Sequence, residues 1–480
     1  MNDISDREGA IEGRATPVMA QYLRLKADHQ GSLLFYRMGD LYELFFADAE
    51  AAARDLGIAL THRGKHLGED IPMCGVPVHA ADGYLQRLIR KGHRVAICEQ
   101  LEDPAEARKR GSKAVVRRDV VRLVTPGTLT EDSLIDSRAH NYLAALTRVR
   151  AAGELALAWA DISAGELMVA ATGEQRLAAD LARLEPSELI VSESLMAEPA
   201  LAAILAHSGA AITPLPASRF DSAGGERRLC QHFGVATLDS YGGFTKAEIA
   251  ALGGMLDYVA LTQVGRVPHL RPPRREEPRA VLLIDGATRA NLELARSLAG
   301  ERRGSLNAAI DLTVTAAGAR ALAARLASPS ADAVTVNGRL DDVEFLLAGA
   351  AVRHAIRAGL ARLPDIERAL ARLTVGRGGP RDLAALRDGL AGALAIAAAF
   401  AGGADLALLP AGLSELRNRC GEADLELRDR LEAVLADELP ASVRDGGFVR
   451  AGFQDELDQA RALRSDTARV IAGLQARYAE

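Results

Sequence analysis

Two side chains in the segment LLFYRMGDLYELFFADA, residues 33–49, could recognise a nucleic-acid base. Leu41 and Glu43 are two positions apart, so on a β-strand both side chains lie on the same face. A carboxylate repels phosphate, so this pair is a poor general binder of DNA. It suits a leucine wedge that enters the base stack from the minor groove while the carboxylate meets a base edge. The structural alternative places Leu41 in a core and pairs or caps Glu43 at the surface.

A tight turn is predicted directly before these two residues. Gly39 can take the positive φ that a tight turn often needs, and apolar runs flank the turn on both sides. The segment is therefore predicted to form two short strands that hold the Leu41–Glu43 pair away from the core.

Positive charge is concentrated between Tyr84 and Gly127, although the whole chain has a net charge of −6. This stretch has eleven Lys or Arg residues against five acidic ones, a local net charge of +6. A local basic face can neutralise phosphates even on an acidic protein. A solvated charged surface is the alternative. The cations are Arg87, Arg90, Lys91, Arg94, Arg108, Lys109, Arg110, Lys113, Arg117, Arg118 and Arg122.

The sequence offers little support for nucleotide hydrolysis, metal-dependent chemistry or a membrane span. The sequence contains no G-x-x-x-x-G-K-[ST], HExxH or GxSxG motif. The four cysteines are far apart and form no CxxC pair, which favours a reducing cytoplasm over a disulfide or metal scaffold. No run of about 18 uncharged apolar residues suggests a membrane span. Asp161 could begin the acidic cluster of an RNase H-type nuclease, but no second and third acid follow it, which favours a structural role.

The patterns divide the chain into three regions. Residues 17–127 mix helical and strand patterns, typical of an α+β domain, and residues 128–265 alternate strands with helices, typical of an α/β domain. From residue 266 onward the chain reads as long amphipathic helices. The last helix reaches Glu480 without a Gly, Asn or Pro stop signal, so we expect the natural chain to continue.

Seven blocks of the sequence resemble the bacterial MutS family of DNA mismatch-repair proteins. They occur in collinear order from about Pro17 to Glu480, which is much more specific than any single block. The blocks are LLFYRMGDLYELFFADA, PMCGVPVHA, VAICEQ, VVRLVTPGT, LLIDGATRANLEL, GSLNAAIDLTVTAAGARALAARL and VRDGGFVRAGFQDELD.

The resemblance implies a multidomain protein with an α+β mismatch-binding domain at 17–127 after a flexible N-terminus at 1–16. An RNase H-like α/β connector follows at 128–265, and an all-α core and lever region at 266–480. The family's clamp and Walker ATPase would lie beyond Glu480. We therefore expect no enzymatic activity and no cofactor in this chain, with ATP and Mg²⁺ bound only by the missing half.

The same resemblance implies the partners. The chain is expected to bind mismatched or looped-out bases in duplex DNA as a cytoplasmic, nucleoid-associated protein without a membrane partner. The full-length protein is expected to form a homodimer and to meet a MutL-like partner.

In the family, the turn after the first strand carries a Phe-x-Glu motif, in which the phenylalanine stacks on the mispaired base and the glutamate hydrogen-bonds to it. The glutamate corresponds to Glu43, but Leu41 stands at the phenylalanine position. Leucine can wedge but has no π-face, so we hypothesise weaker mismatch binding. The resemblance also implies DNA-backbone or supporting roles for Arg37, Met38, Gly39, Asp40, His79, Arg108, Lys109 and Arg110.

Two alternatives stay open. A truncated or divergent MutS paralogue could bind DNA or another protein without mismatch specificity, and equal binding to matched and mismatched duplexes would favour it. A metal-dependent nuclease built on the connector is the other, and cleavage lost in Asp161→Ala would support it.

Overall fold

The protein is described here by a computed structural model, which covers residues 16–479 except 112–113, 150–152, 278–279 and 402–408. The chain forms two compact units, residues 1–332 and 333–480. The first unit holds two mixed sheets with helices packed on them, and the second is helical. This confirms the predicted class, α+β and α/β parts followed by helices. The predicted flexible N-terminus falls outside the described residues, apart from Thr16.

The first sheet has six strands in the order β3-β4-β2-β1-β5-β6. They are β1 (Leu33–Met38), β2 (Leu41–Phe45), β3 (Thr61–His66), β4 (Glu69–Pro77), β5 (Val95–Gln100) and β6 (Arg118–Val124). The helices of this region are α1 (Pro17–Asp28), α2 (Phe46–Leu56), α3 (Ala81–Arg90) and α4 (Pro104–Lys109). Strands β1 and β5 are parallel, and all other neighbours are antiparallel.

Both faces of this sheet carry apolar side chains, which is why β1 and β2 appear in the sequence as apolar runs. Leu34 and Phe45 pack in one buried cluster with Tyr22 of α1. Phe35 and Leu44 lie in the other cluster, with side chains of α2 and α3. The central strands are therefore fixed from two sides.

The second sheet has the order β11-β10-β7-β8-β9-β12. Its strands are β7 (Leu143–Arg148), β8 (Leu155–Asp161), β9 (Glu166–Thr172), β10 (Glu188–Ser192), β11 (Ala211–Leu215) and β12 (Arg274–Arg275). The helices are α5 (Glu174–Leu184), α6 (Glu193–Met196), α7 (Pro199–Ala206), α8 (Ser222–Phe233) and α9 (Lys246–Thr262). Helix α9 is almost wholly buried and packs on β7, β8 and β9, because its sequence is apolar nearly all round.

A buried carboxylate ties the end of the first sheet to the second. Glu188 of β10 is fully buried and accepts hydrogen bonds from the Tyr258 hydroxyl at 2.6 Å and the Thr213 hydroxyl at 2.7 Å. It also accepts from the Gly127 backbone N–H at 3.0 Å and from the Thr125 hydroxyl at 2.5 Å. A Cβ on Gly127 would lie 2.8 Å from the Cβ of Glu188, so a side chain does not fit there. Burial, followed by the charge of Glu188, raises the pKa of Tyr258.

Residues 266–332 belong to the first compact unit, whereas the sequence pattern grouped them with the helical region. They supply edge strand β12, which pairs with β9. Their helices are α10 (Gly286–Asn291), α11 (Leu306–Ile310) and α12 (Ala316–Ala327). The domain boundaries given above stay predictions.

The helical unit contains α13 (Ala333–Ala348), α14 (Ala350–Leu360), α15 (Ile366–Thr374), α16 (Pro380–Ala401), α17 (Ala411–Gly421), α18 (Leu425–Val434) and α19 (Asp455–Ala479). Within the described ranges, the segment Pro380–Phe400 of α16 is long and apolar enough to cross a membrane by length and composition alone. Helix α16 packs against α14, α15, α17 and α18. Its Asp382 pairs with Arg372 at 2.5 Å, and its Ile396 is buried beside Val352. These contacts are those of a helix packed among other helices.

Candidate nucleic-acid interface

The tight turn predicted between β1 and β2 is present as a two-residue loop, Gly39-Asp40. Gly39 has φ of +64°, and Met38 pairs with Leu41 across the turn. The side chain of Arg37 donates to the carbonyl of Gly39. The carbonyl of Asp40 accepts the backbone N–H of Val78 at 2.9 Å, so the turn is also held from strand β4.

Leu41 is the exposed apolar side chain at this turn. It is 39% exposed, whereas the other four residues of β2 are buried. Strand β4 lies alongside, where Leu41 is opposite Pro77 and Glu43 is opposite Gly75. A Cβ placed on Gly75 would be 3.7 Å from Cδ1 of Leu41, so the leucine leans over a position that has no side chain. Leu41 is therefore not a core residue, which excludes the structural alternative for this side chain.

Glu43 lies on the same face of β2 but is only 5% exposed, so the prediction that both side chains are held away from the core is wrong for Glu43. Its two carboxylate oxygens both accept from Nη1 of Arg63, on the edge strand β3. Half of the Arg63 side chain is exposed to solvent. The structure thus presents an apolar tip beside a buried carboxylate that is neutralised by a cation within solvent reach.

The opposite face of the hairpin is locked by a second group of polar side chains. The hydroxyl of Tyr42 donates to Glu99 of β5, and Arg37 pairs with Glu99 at 3.6 Å. The guanidinium of Arg37 also lies 5.6 Å from the centre of the Tyr42 ring. Burial and the neighbouring Glu99 carboxylate raise the pKa of Tyr42. These contacts fix β1, β2 and β5 relative to each other just below the turn.

Arg118, at the start of β6, supports the Leu41 face. Its Nε donates to the carbonyl of Arg37 at 2.7 Å, and its guanidinium lies 4.9 Å from the Tyr36 ring centre. Its Nη2 is 3.4 Å from the sulfur of Met38. Burial raises the pKa of Tyr36 to about 12, against the opposing charge of Arg118. Arg118 is itself buried and therefore acts as a brace for the turn.

The end of the sheet that carries the β1–β2 turn, here called the hairpin end, brings together the predicted supporting residues. Strand β4 also finishes there, followed by the exposed His79, and β5 finishes there because it runs parallel to β1. The exposed Arg108, Lys109 and Arg110 follow β5 in and just after α4. Sheet topology thus groups residues that lie as much as 73 positions apart in the sequence, from Arg37 to Arg110.

The basic stretch as a whole does not form one face. Helix α3 runs back from the hairpin end, so Arg87, Arg90, Lys91 and Arg94 lie toward the far end of the sheet, where Lys91 pairs with Asp55 at 3.3 Å. Lys113 lies outside the described residues. The expectation of a single basic face over the whole stretch is therefore wrong. Only the cations at the hairpin end remain candidates for binding DNA.

Acidic partners also reduce the charge at the hairpin end. Arg110 pairs with Glu102 at 2.5 Å and Lys109 with Glu106 at 2.5 Å. Arg110, together with the backbone of Arg117, lowers the pKa of Glu102 to about 2. The Lys109–Glu106 pair is exposed, so Lys109 can exchange its carboxylate for a phosphate at little cost in free energy, whereas Glu102 is held more firmly.

Arg63 is the residue that sequence reasoning missed. Its segment, THRGKH, forms strand β3. The available signal was the alternation of exposed cations along that strand. The β3–β4 hairpin closes across Leu67-Gly68, but nothing local indicates that β4 also pairs with β2.

Asp161, the nuclease candidate, is fully buried at the end of β8. It accepts from the backbone N–H of Ser163 at 3.0 Å and its hydroxyl at 2.6 Å, and it lies 2.8 Å from Nδ1 of His140. In the described ranges, no group of three or more His, Cys, Asp or Glu side chains could hold a metal ion. The surroundings of Asp161 are those of a structural carboxylate.

Comparison with known proteins places all three regions in one family. Family models described as MutS domain I, MutS domain II and MutS domain III match residues 16–133, 141–271 and 287–479. The DNA mismatch repair protein MutS of Nitrobacter winogradskyi is 55% identical over 466 residues, covering 96% of this chain and 52% of that protein. MutS of Rhodopseudomonas palustris is 56% identical, covering 97% and 51%. MutS of Rhizobium meliloti is 52% identical, covering 100% and 52%. The chain spans about half the length of these curated relatives.

Proposed function

The chain belongs to the MutS family of DNA mismatch repair proteins, and we propose that it recognises mismatched or looped-out bases in duplex DNA through the β1–β2 hairpin. The observation that carries the proposal is the exposed Leu41 beside the buried carboxylate of Glu43 on one strand face. A lone exposed leucine needs no explanation. A leucine that directly follows a rigid two-residue turn, with Glu43 on the same strand face, is suited to entering a base stack.

Leu41 acts as the wedge in this proposal. Insertion of an aliphatic side chain from the minor groove unstacks a base step and kinks the duplex. A mispaired step is already weakened, so opening it takes less free energy than opening a matched step. The turn is held by Arg37, Asp40 and Arg118, so the leucine meets the DNA without first having to be ordered.

Glu43 supplies discrimination. A carboxylate accepts hydrogen bonds only, and the donors on the bases of a matched pair are mostly used within the pair. A mispaired base leaves a donor for Glu43, whereas a matched duplex offers few free donors. The exposed cations Arg108, Lys109 and Arg110, with His79, provide backbone contacts that position the duplex without reading its sequence.

Fluorescence anisotropy with the full chain tests this proposal on a G·T duplex, a duplex with one extra thymine, and a matched duplex. We expect tighter binding to the first two. Glu43→Gln should lower the ratio of mismatched to matched affinity, because a neutral amide accepts a weaker hydrogen bond from the mispaired base than a carboxylate does. Glu69→Gln removes an exposed charge from the start of β4 and serves as the control that leaves the ratio unchanged. Equal binding of the parent chain to all duplexes would instead support the paralogue without mismatch specificity, which the leucine at position 41 favours.

Further properties are proposed for the whole protein. We propose that mismatch binding is coupled there to ATP hydrolysis, homodimer formation and a MutL-like partner on the nucleoid. Residues 1–480 contain no G-x-x-x-x-G-K-[ST] sequence, so a phosphate-release assay on this chain alone should show no ATP hydrolysis. Hydrolysis that persists through purification would contradict this expectation.

A further inference from the structure

We infer that Arg63 determines specificity by holding Glu43 in an ion pair, so that a base must displace Arg63 before Glu43 can read it. The inference rests on the proposed function of Glu43. It adds a competitor for the carboxylate, supplied by an edge strand of the same sheet.

The geometry of the pair supports this competition. Both carboxylate oxygens of Glu43 accept from the same nitrogen of Arg63, and Glu43 is only 5% exposed, so Arg63 engages both oxygens at a carboxylate with little other access. Within the part of the chain that the structure describes, no other Lys, Arg or His nitrogen lies within 4 Å of this carboxylate. Arg63 is therefore the group whose removal would leave Glu43 charged, buried and unpaired.

Strand β3 gives Arg63 room to move. It is the edge strand of the sheet and pairs only with β4, and most of its residues are exposed. Its register with β4 shifts between His62 and Lys65, where Gly64 has φ of +72°. Arg63 lies within this irregularity, so its side chain can swing outward without breaking a regular ladder. Glu43 lies on the interior strand β2, which is held on both sides.

The energetic consequence differs between matched and mismatched DNA. A carboxylate left buried and unpaired is strongly unfavourable. On matched DNA the pair stays closed, so the phosphates meet a neutral pair rather than a negative charge. On mismatched DNA, a free base donor compensates for opening the pair. Arg63 thus lets the protein bind matched duplex without repulsion from Glu43. Glu43 can hydrogen-bond to a base only when that base takes the place of Arg63.

A double-mutant cycle tests this inference, with Arg63→Gln, Glu43→Gln and the double variant. Lys65→Gln is the matched control, because it removes one exposed cation from the same strand, and Lys65 lies 3.7 Å from the exposed Asp70 rather than at Glu43. Arg63→Lys keeps the charge and should behave much like the parent chain.

The first measurement is unfolding without DNA. Arg63→Gln should lower the unfolding midpoint more than Lys65→Gln does, and this extra loss should disappear in the Glu43→Gln background. Additive effects of the two substitutions would mean that the ion pair contributes nothing, and would overturn the inference whatever the DNA results are.

The second measurement is binding to matched and G·T duplexes. Arg63→Gln should weaken matched binding about threefold more than Lys65→Gln does, because it also uncovers the charge of Glu43. Binding to G·T should fall less, so the ratio of affinities rises. In the Glu43→Gln background, Arg63→Gln and Lys65→Gln should have equal effects. A uniform loss on both duplexes in both backgrounds would show that Arg63 only contacts phosphate and would overturn the inference. A ratio that Glu43→Gln leaves unchanged in the parent chain would instead refute the proposed function.

Discussion

Replacing Leu41 with phenylalanine should strengthen binding to a G·T duplex by about 2- to 30-fold, which corresponds to about 0.5–2 kcal/mol. Stacking of an aromatic ring on a base contributes about 1–3 kcal/mol when measured by truncation to alanine. Leucine already retains the contact area of a wedge, so only part of that range remains to be gained. The gain comes from the π-face, which an aliphatic side chain cannot offer.

The structure indicates that the folded state tolerates this substitution. Leu41 is 39% exposed, and its Cδ1 leans toward Gly75, a neighbour on β4 that has no side chain. A phenylalanine ring therefore projects over existing open space and displaces no buried group. We expect the free energy of unfolding to change by about 0.5 kcal/mol or less, as for other exposed positions.

Anisotropy titrations at fixed salt compare the parent chain, Leu41→Phe and Leu41→Ala on G·T and matched duplexes. The alanine variant should bind G·T more weakly than the parent, because it loses the wedge. Affinity for matched DNA should change little in either variant, because a closed step is not opened. Equal affinities of the parent and Leu41→Phe for G·T would refute the reasoning, since the ring would then not reach the base.

Three further predictions concern stability and reactivity. Glu188→Ala should lower the free energy of unfolding by about 3 kcal/mol or more in urea titrations, because it leaves several buried donors unsatisfied; a loss below 1 kcal/mol would contradict the burial of the cluster. Glu102, with its pKa lowered from 4.5 to about 2 by Arg110 and Arg117, stabilises the fold fully above pH 4.5 and loses this effect as the pH falls toward 2. The difference in melting temperature between the parent and Glu102→Gln should shrink over that range, and a constant difference would contradict the assignment. Burial raises the pKa of Cys74 to about 11 and that of Cys98 to about 12, so neither thiol should be alkylated at pH 8 before unfolding, as peptide mass spectrometry can check.

The parts of the site that depend on neighbours in sequence were predictable. Gly39 marks the turn because a two-residue loop needs a positive φ, and the structure gives it one. The two-residue periodicity of a strand placed Leu41 and Glu43 on one face. Both inferences use only backbone geometry that repeats in every protein.

The parts that depend on strand order could not be predicted. Arg63 reaches Glu43 because strand β4 of the β3–β4 hairpin also pairs with β2, and this second pairing is not encoded locally in the sequence. The prediction that the basic stretch between Tyr84 and Gly127 forms one face was wrong for a related reason. Helix α3 returns along the sheet and carries Arg87 and Lys91 away from Arg108, so a charge count along the chain sums groups at opposite ends.

The arrangement of fixed and adaptable groups follows a single physical logic. A residue that discriminates by a difference in free energy must be placed accurately, because a displaced carboxylate loses hydrogen-bond geometry on every base alike. Glu43 meets this requirement on an interior strand between β1 and β4. Its competitor must be able to leave, and Arg63 meets that requirement on an irregular edge strand with half its side chain in solvent. With the placements exchanged, the carboxylate would lie on the irregular edge strand and could move away from the base. The cation would lie in the interior and could not move away from the carboxylate.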